Sequence, residues 1–188
     1  MRLSIILSLF FLFQAWAENW PGWRGPRGDG TSLEKGVPVR WNLGKNIAWK
    51  TGITGKGHAS PIVWGDRVFV ATCDEEKQER LLTCIDRGSG RVRWQKVVLK
   101  SPLERLHRLN SRASSTPATD GKLVYVSFLD QKDMVVAAFN FSGDRQWEVR
   151  PGVFKSVHGY CSSPVIWMEK LIINGDHDGP SYIVALDR

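Results

Sequence analysis

Three stretches of the 188-residue chain open alike: Ala59-Ser60-Pro61-Ile62-Val63-Trp64, Ser115-Thr116-Pro117-Ala118-Thr119 and Ser162-Ser163-Pro164-Val165-Ile166-Trp167. Such a repeat constrains the fold strongly, because each copy must be one supersecondary unit that buries its apolar faces against its neighbours. A turn and a β-rich run follow each opening: Gly65-Asp66 before Arg67 to Val70, Asp120-Gly121 before Leu123 to Val126, and Met168-Glu169 before Leu171 to Ile173. Alternation and β-branching make these runs strands, and Asp-Gly is a hairpin signal. A third strand comes next in every unit, at Leu81 to Asp86, Met134 to Asn140 and Tyr182 to Asp187. In the first two units a glycine turn then leads to a tryptophan, through Gly90 to Trp94 and through Gly143 to Trp147. Glycine supplies the positive φ of a tight hairpin, while Asp86 or Asn140 accepts from the free N–H groups of the turn.

Each unit therefore reads as a four-stranded antiparallel meander, with Pro61 and Trp94 33 residues apart and Pro117 and Trp147 30 apart. Units of this kind are the blades of a β-propeller, so the expected fold is all-β, with blades at about 59–97, 113–149 and 162–188. The third stops within its glycine turn. Residues 45–53, around Trp49, read as a lone outer strand of the sort a propeller borrows from its N-terminus to close the ring. A ring of seven or eight blades needs on the order of 350 to 400 residues, so the chain is expected to be an N-terminal fragment with an incomplete ring; a ring closed by several chains is the alternative.

Composition places the chain among ordinary globular proteins, at 42% hydrophobic and 24% charged, and excludes disorder, collagen and coiled coil. Residues 1–17 follow a secretory pattern: Arg2, an apolar run from Leu3 to Phe13, and Ala15-Trp16-Ala17 as the cleavage site. The run is short for a membrane span, so the expectation is an exported, periplasmic or secreted protein without a transmembrane anchor in its mature form. No Cys stands at the cleavage point, so it is not expected to be a lipoprotein. Residues 18–44 form a leader before the repeats. The net charge of +7 is scattered along strand-like segments, which argues against nucleic acid as a partner. One cluster, Lys100, Arg105, His107, Arg108 and Arg112, reads as a basic connecting loop that could meet an anionic surface.

The units resemble the pyrroloquinoline-quinone-type (PQQ-like) propeller repeat, whose blade signature is Ala-x-Asp-x-x-Thr-Gly-x-x-x-Trp. Cys84, Asp86, Ser89, Gly90 and Trp94 match it in the first unit; Ala138, Asn140, Ser142, Gly143 and Trp147 match it in the second with one residue deleted; Ala185-Leu186-Asp187 begins it in the third. The leader Trp20-Pro21-Gly22-Trp23-Arg24-Gly25-Pro26 with Gly28-Asp29-Gly30 resembles that of an exported bacterial subgroup. The resemblance implies that Trp49, Trp94 and Trp147 dock between blades, with Gly90 and Gly143 as turn residues. It also raises the possibility of PQQ and Ca²⁺, which quinoprotein dehydrogenases of this superfamily hold beneath a disulfide of adjacent cysteines.

The three Cys include no adjacent pair. A symmetric hairpin sets Cys73 opposite Arg80 and Cys84 opposite Phe69, roughly 13 Å apart along the sheet, too far for a bridge. All three are expected to be free and buried. Asn174, Asp176 and Asp178 fit the opening of a calcium loop, but Ala185 stands where its bidentate Glu should be. A turn shaped by Asp and Gly explains the same residues. His58, Ser60, Asn110, Ser115, His158 and Ser163 lie on inter-blade segments and are expected to gather at one mouth of the central channel, as a ligand site or as backbone caps. No Ser, His and acid triad can be ordered. The function expected is a non-catalytic exported propeller that binds a protein, peptide or polymer, analogous to the propeller subunit of the outer-membrane assembly machinery. The alternative is a PQQ-dependent dehydrogenase whose active-site residues lie outside this sequence.

Overall fold

The computed structural model describes residues 17–42 and 44–188, so the signal segment, Ala17 apart, lies outside the described residues. Eleven strands form three antiparallel sheets and no helix occurs among the described residues. The first sheet is β1 (Ile62–Trp64), β2 (Arg67–Asp74), β3 (Glu79–Asp86) and β4 (Val92–Lys100), paired in chain order. The second repeats this with β5 (Ala118–Thr119), β6 (Leu123–Asp130), β7 (Asp133–Asn140) and β8 (Arg145–Val149). The third holds β9 (Val165–Trp167), β10 (Lys170–Gly175) and β11 (Tyr182–Asp187). These are three blades of a β-propeller, and the ring they begin is not closed.

Side chains two apart along a strand share a face, and that rule builds the two cores. Ile62, Phe69, Leu82 and Cys84 of the first blade meet Val124, Val126, Val135, Ala137 and Phe139 of the second. The second blade turns Tyr125, Met134, Val136 and Ala138 the other way, onto Leu171, Ile173, Val184 and Leu186 of the third. With both faces covered, β6 and β7 are buried along nearly their whole length. The outer face of the third blade carries Val165, Trp167 and Ile183, which are 58%, 66% and 74% exposed. By position in the repeat they correspond to Ile62, Trp64 and Leu82, and Ile62 and Leu82 are fully buried between the first two blades.

The hairpin register expected for the cysteines is present: Cys73 pairs with Arg80 and Cys84 with Phe69. All three thiols are free, Cys73 and Cys84 being buried, whereas Cys161 is exposed and corrects the expectation of a buried residue. It sits in the segment before β9, at the edge of the third blade whose outer face is uncovered. Burial pushes the Cys84 thiol up to about 11 and raises that of Cys73.

Residues 45–53, expected as an outer strand, carry no ladder, and within them only Lys45 makes an isolated bridge, with Asn42. A strand exists only through a partner strand, and here the segment is held instead by side chains and by a single bridge beyond it, Lys56 with Cys73.

Candidate functional site

The tryptophans of the repeat form a relay directed along the chain. Trp49 Nε1 donates to the Arg87 carbonyl at 2.8 Å, and Trp94 Nε1 donates to the Phe141 carbonyl at 3.0 Å. Arg87 and Phe141 are equivalent, each following the turn residue Asp86 or Asn140. The ring in each case lies on the glycine of the next turn: a Cβ on Gly90 would stand 2.6 Å from Cδ2 of Trp49, and one on Gly143 would stand 2.9 Å from Cδ2 of Trp94. Both glycines hold positive φ, 72° and 87°, so sterics and backbone conformation select the same residue. Asp86 shapes its turn by accepting from Ser89 N and Oγ at 2.8 and 2.7 Å. The Arg93 guanidinium and these Ser89 bonds hold its carboxyl far below the usual carboxylate range. Trp147, opposite Ala138, packs on Tyr125 with ring centroids 5.9 Å apart.

A second relay runs near the axis. Ser60, Thr116 and Ser163 each precede the proline that opens a blade. Ser60 N donates to Thr116 Oγ1, and Thr116 N donates to Ser163 Oγ, both at 3.0 Å. Trp64 likewise rests on Gly121, where a Cβ would lie 2.6 Å from its Cε2.

Of the six residues expected at a channel mouth, the structure brings three to one cavity. His58, Asn110 and Ser163 line a space of about 1050 Å³ along the inner strands, together with Trp64, Cys161 and Trp167. Ser60, Ser115 and His158 are not part of its wall. Ser115 is buried and shares a hydrogen bond with Ser127 at 2.8 Å, which also accepts from the Tyr160 hydroxyl at 2.9 Å. Asn110 is committed to structure: its Nδ2 donates to the His158 carbonyl at 2.7 Å and its Oδ1 accepts from Ser111 N and Ser114 Oγ. The His158 ring lies tilted against that of His107, with centroids 5.5 Å apart.

The leader forms another wall of this cavity, through Trp23 and Arg24. Trp20 exchanges two backbone bonds with Val63, the Pro21 carbonyl accepts from Thr119 N at 2.8 Å, and Asn19 Oδ1 accepts from Gly65 N at 2.8 Å. The leader thus crosses the inner edges of the first two blades. The sequence marked it as distinct but carried no sign of where it would lie.

Asn174, Asp176 and Asp178 do not act as one ligand set. Asn174 Oδ1 accepts from Asp176 N, Asp176 Oδ1 from Ser181 Oγ, and Asp178 Oδ2 from Val157 N. They shape the β10–β11 hairpin and tie it to the preceding loop. Among the described residues no three His, Cys, Asp or Glu side chains converge on a metal position. The axial cavity has no Asp or Glu in its wall, and its one cysteine is a free thiol. The described residues therefore do not by themselves make a calcium and quinone site.

A buried ion pair escaped the sequence reading. Arg80, fully buried, pairs with Glu104 of the first inter-blade loop, and its Nη1 donates to the Ser101 carbonyl at 2.7 Å. Arg112 Nη2 donates to the Glu104 carbonyl at 2.9 Å. No described helix is long and apolar enough to cross a membrane.

Solved propeller structures share this arrangement. BamB from Moraxella catarrhalis is similar at 19% identity with a TM-score of 0.54, over 74% of this chain and 40% of that one. A europium-containing methanol dehydrogenase is similar at 13% identity with a TM-score of 0.53, over 76% of this chain and 24% of that one. The quinohemoprotein alcohol dehydrogenase from Comamonas testosteroni is similar at 18% identity with a TM-score of 0.51, over 71% and 20%. The chain spans two fifths or less of the length of these proteins, and at such identities the likeness is one of fold. No curated protein sequence matches. The family model for outer membrane protein assembly factor BamB matches residues 41–150, the first two blades and the loops between them. That match covers more than half of the sequence, and the chain belongs to this family.

Proposed function

We propose that the chain is part of an exported, non-catalytic β-propeller scaffold that binds a protein or peptide partner through its inter-blade loops. The observation that carries this reading is the family match over residues 41–150. Site chemistry is consistent with it. Of the side chains that could have formed a reactive set, those of Asn110, Ser115 and Ser163 are engaged in bonds that hold loops and blades together. Export rests on the secretory pattern of residues 1–17. The uncovered face of the third blade, with Val165, Trp167 and Ile183 in positions where the first blade meets the second, reads as the seat of a further blade.

Site-specific photo-cross-linking from Leu109, an exposed residue on the first inter-blade loop, tests the partner-binding reading in the cell envelope. Capture of a component of the outer-membrane β-barrel assembly machinery is expected. Dye reduction with alcohols or sugars after adding PQQ and Ca²⁺ to the full-length protein would overturn the reading in favour of a quinoprotein dehydrogenase.

A further inference from the structure

A smaller concavity, of about 360 Å³, lies away from the axis on the inter-blade loops. Its wall includes Arg105, Lys132 and Lys155, with Leu129 and Phe154 as an apolar floor and Glu104 beside them. All three cations are exposed, and none forms an ion pair among the described residues. Their neighbours are paired: Lys100 with Glu79, Arg112 with Glu75, and Arg150 with Asp130. Glu104, the one acid in the wall, is neutralised from within by the buried Arg80. The concavity thus presents positive charge with no internal counter-charge available to it.

The backbone beneath these cations is fixed. Phe154 N donates to the Lys132 carbonyl at 2.7 Å and Met134 N to the Gly152 carbonyl at 2.9 Å, so residues 152–154 run beside the tip of the β6–β7 hairpin. Gln131 Nε2 donates to the Pro102 carbonyl at 2.5 Å, tying the same tip to the loop that carries Arg105. Three segments from two successive inter-blade connections and one hairpin are locked together. A ligand would not have to order this backbone, which favours binding.

We propose that this concavity binds an acidic segment of a partner polypeptide, with carboxylates on Arg105, Lys132 and Lys155 and aliphatic stems on Leu129 and Phe154. The inference rests on the reading of the chain as a partner-binding scaffold. A membrane is the poorer fit, because a flat bilayer meets projecting cations and not a recess with an apolar floor. A lone inorganic anion would leave that floor unused.

Fluorescence anisotropy of the full-length protein with labelled oligoglutamate and oligoglutamine of equal length tests the proposal. Wild type is expected to bind oligoglutamate selectively, and more weakly as salt rises. The R105E/K132E/K155E variant is expected to lose about ten-fold or more in affinity, with K132Q/K155Q as the milder variant if the triple reversal does not fold. The K35E/R40E/K50E variant changes net charge equally at other exposed positions and is expected to bind as wild type. Equal loss in both triple variants would overturn the site, as would binding to anionic phosphatidylserine vesicles but not to oligoglutamate. A Leu109 cross-link to an assembly component without oligoglutamate binding would sink this site and leave the scaffold reading standing. Selective binding without any cross-link would do the reverse.

Discussion

Trp94 and Gly143 belong to different blades, yet each determines what the other can be. The indole covers the glycine so closely that a Cβ there would lie 2.9 Å from Cδ2, and its Nε1–H is spent on the Phe141 carbonyl two residues earlier. Trp94→Ala should lower stability by about 3–5 kcal/mol, read as the shift in denaturant midpoint. Gly143→Ala should cost about 1–3 kcal/mol, from a strained left-handed backbone and the close ring. An unchanged midpoint for both would remove the relay as a determinant of stability.

Arg80 is buried against Glu104, and breaking such a pair leaves one charge without its partner. Glu104→Gln is expected to destabilise by about 3–5 kcal/mol. The double substitution Arg80→Met with Glu104→Leu should recover much of that loss, since no charge then remains buried. Equilibrium unfolding of wild type and the two variants gives the comparison, and a double variant no more stable than Glu104→Gln would contradict it.

Thr116 accepts from Ser60 and donates its own N–H to Ser163. Thr116→Val keeps the shape and removes the acceptor, leaving Ser60 N–H unpaired near the axis at a cost of about 1–3 kcal/mol. Thr116→Ser should be much milder. Thermal melts of both variants separate the hydroxyl from the methyl group.

The thiols should differ sharply in reactivity. Native protein is expected to react with a thiol reagent at Cys161 alone near neutral pH, and at all three cysteines once unfolded. Cys84 also predicts a pH dependence. Its folded value of about 11 stands above the roughly 8.5 of an unfolded thiol. The fold thus favours the neutral form, so this contribution is complete below about pH 8.5 and is lost as pH rises through about 11. Replacing Cys84 with Ala should flatten the alkaline fall in the denaturant midpoint.

Sequence periodicity located all three blades because each reuses a proline-led inner strand and two central strands, and the first adds an outer-strand indole placed for the next glycine. The Cys73–Arg80 and Cys84–Phe69 pairings followed from hairpin symmetry alone. What stayed hidden depends on partners remote in sequence. Arg80 looks like any polar residue of an alternating strand until Glu104 folds over it, and nothing local shows that Pro21 will accept from Thr119. Asn110 and Ser115 lie on a connecting loop, but their partners His158 and Ser127 come from a later loop and from β6. Residues 45–53 read as a strand that closes on a blade outside this sequence, and among the described residues they carry no ladder.

The forward direction of the tryptophan contacts has a consequence for assembly. Trp49, Trp64 and Trp94 each wait for a glycine turn made later in the chain, so these three contacts latch a segment to the blade that follows it. Folding as the chain emerges, N-terminus first, should advance as a ratchet, with the newest sheet always the loosest until the following one arrives.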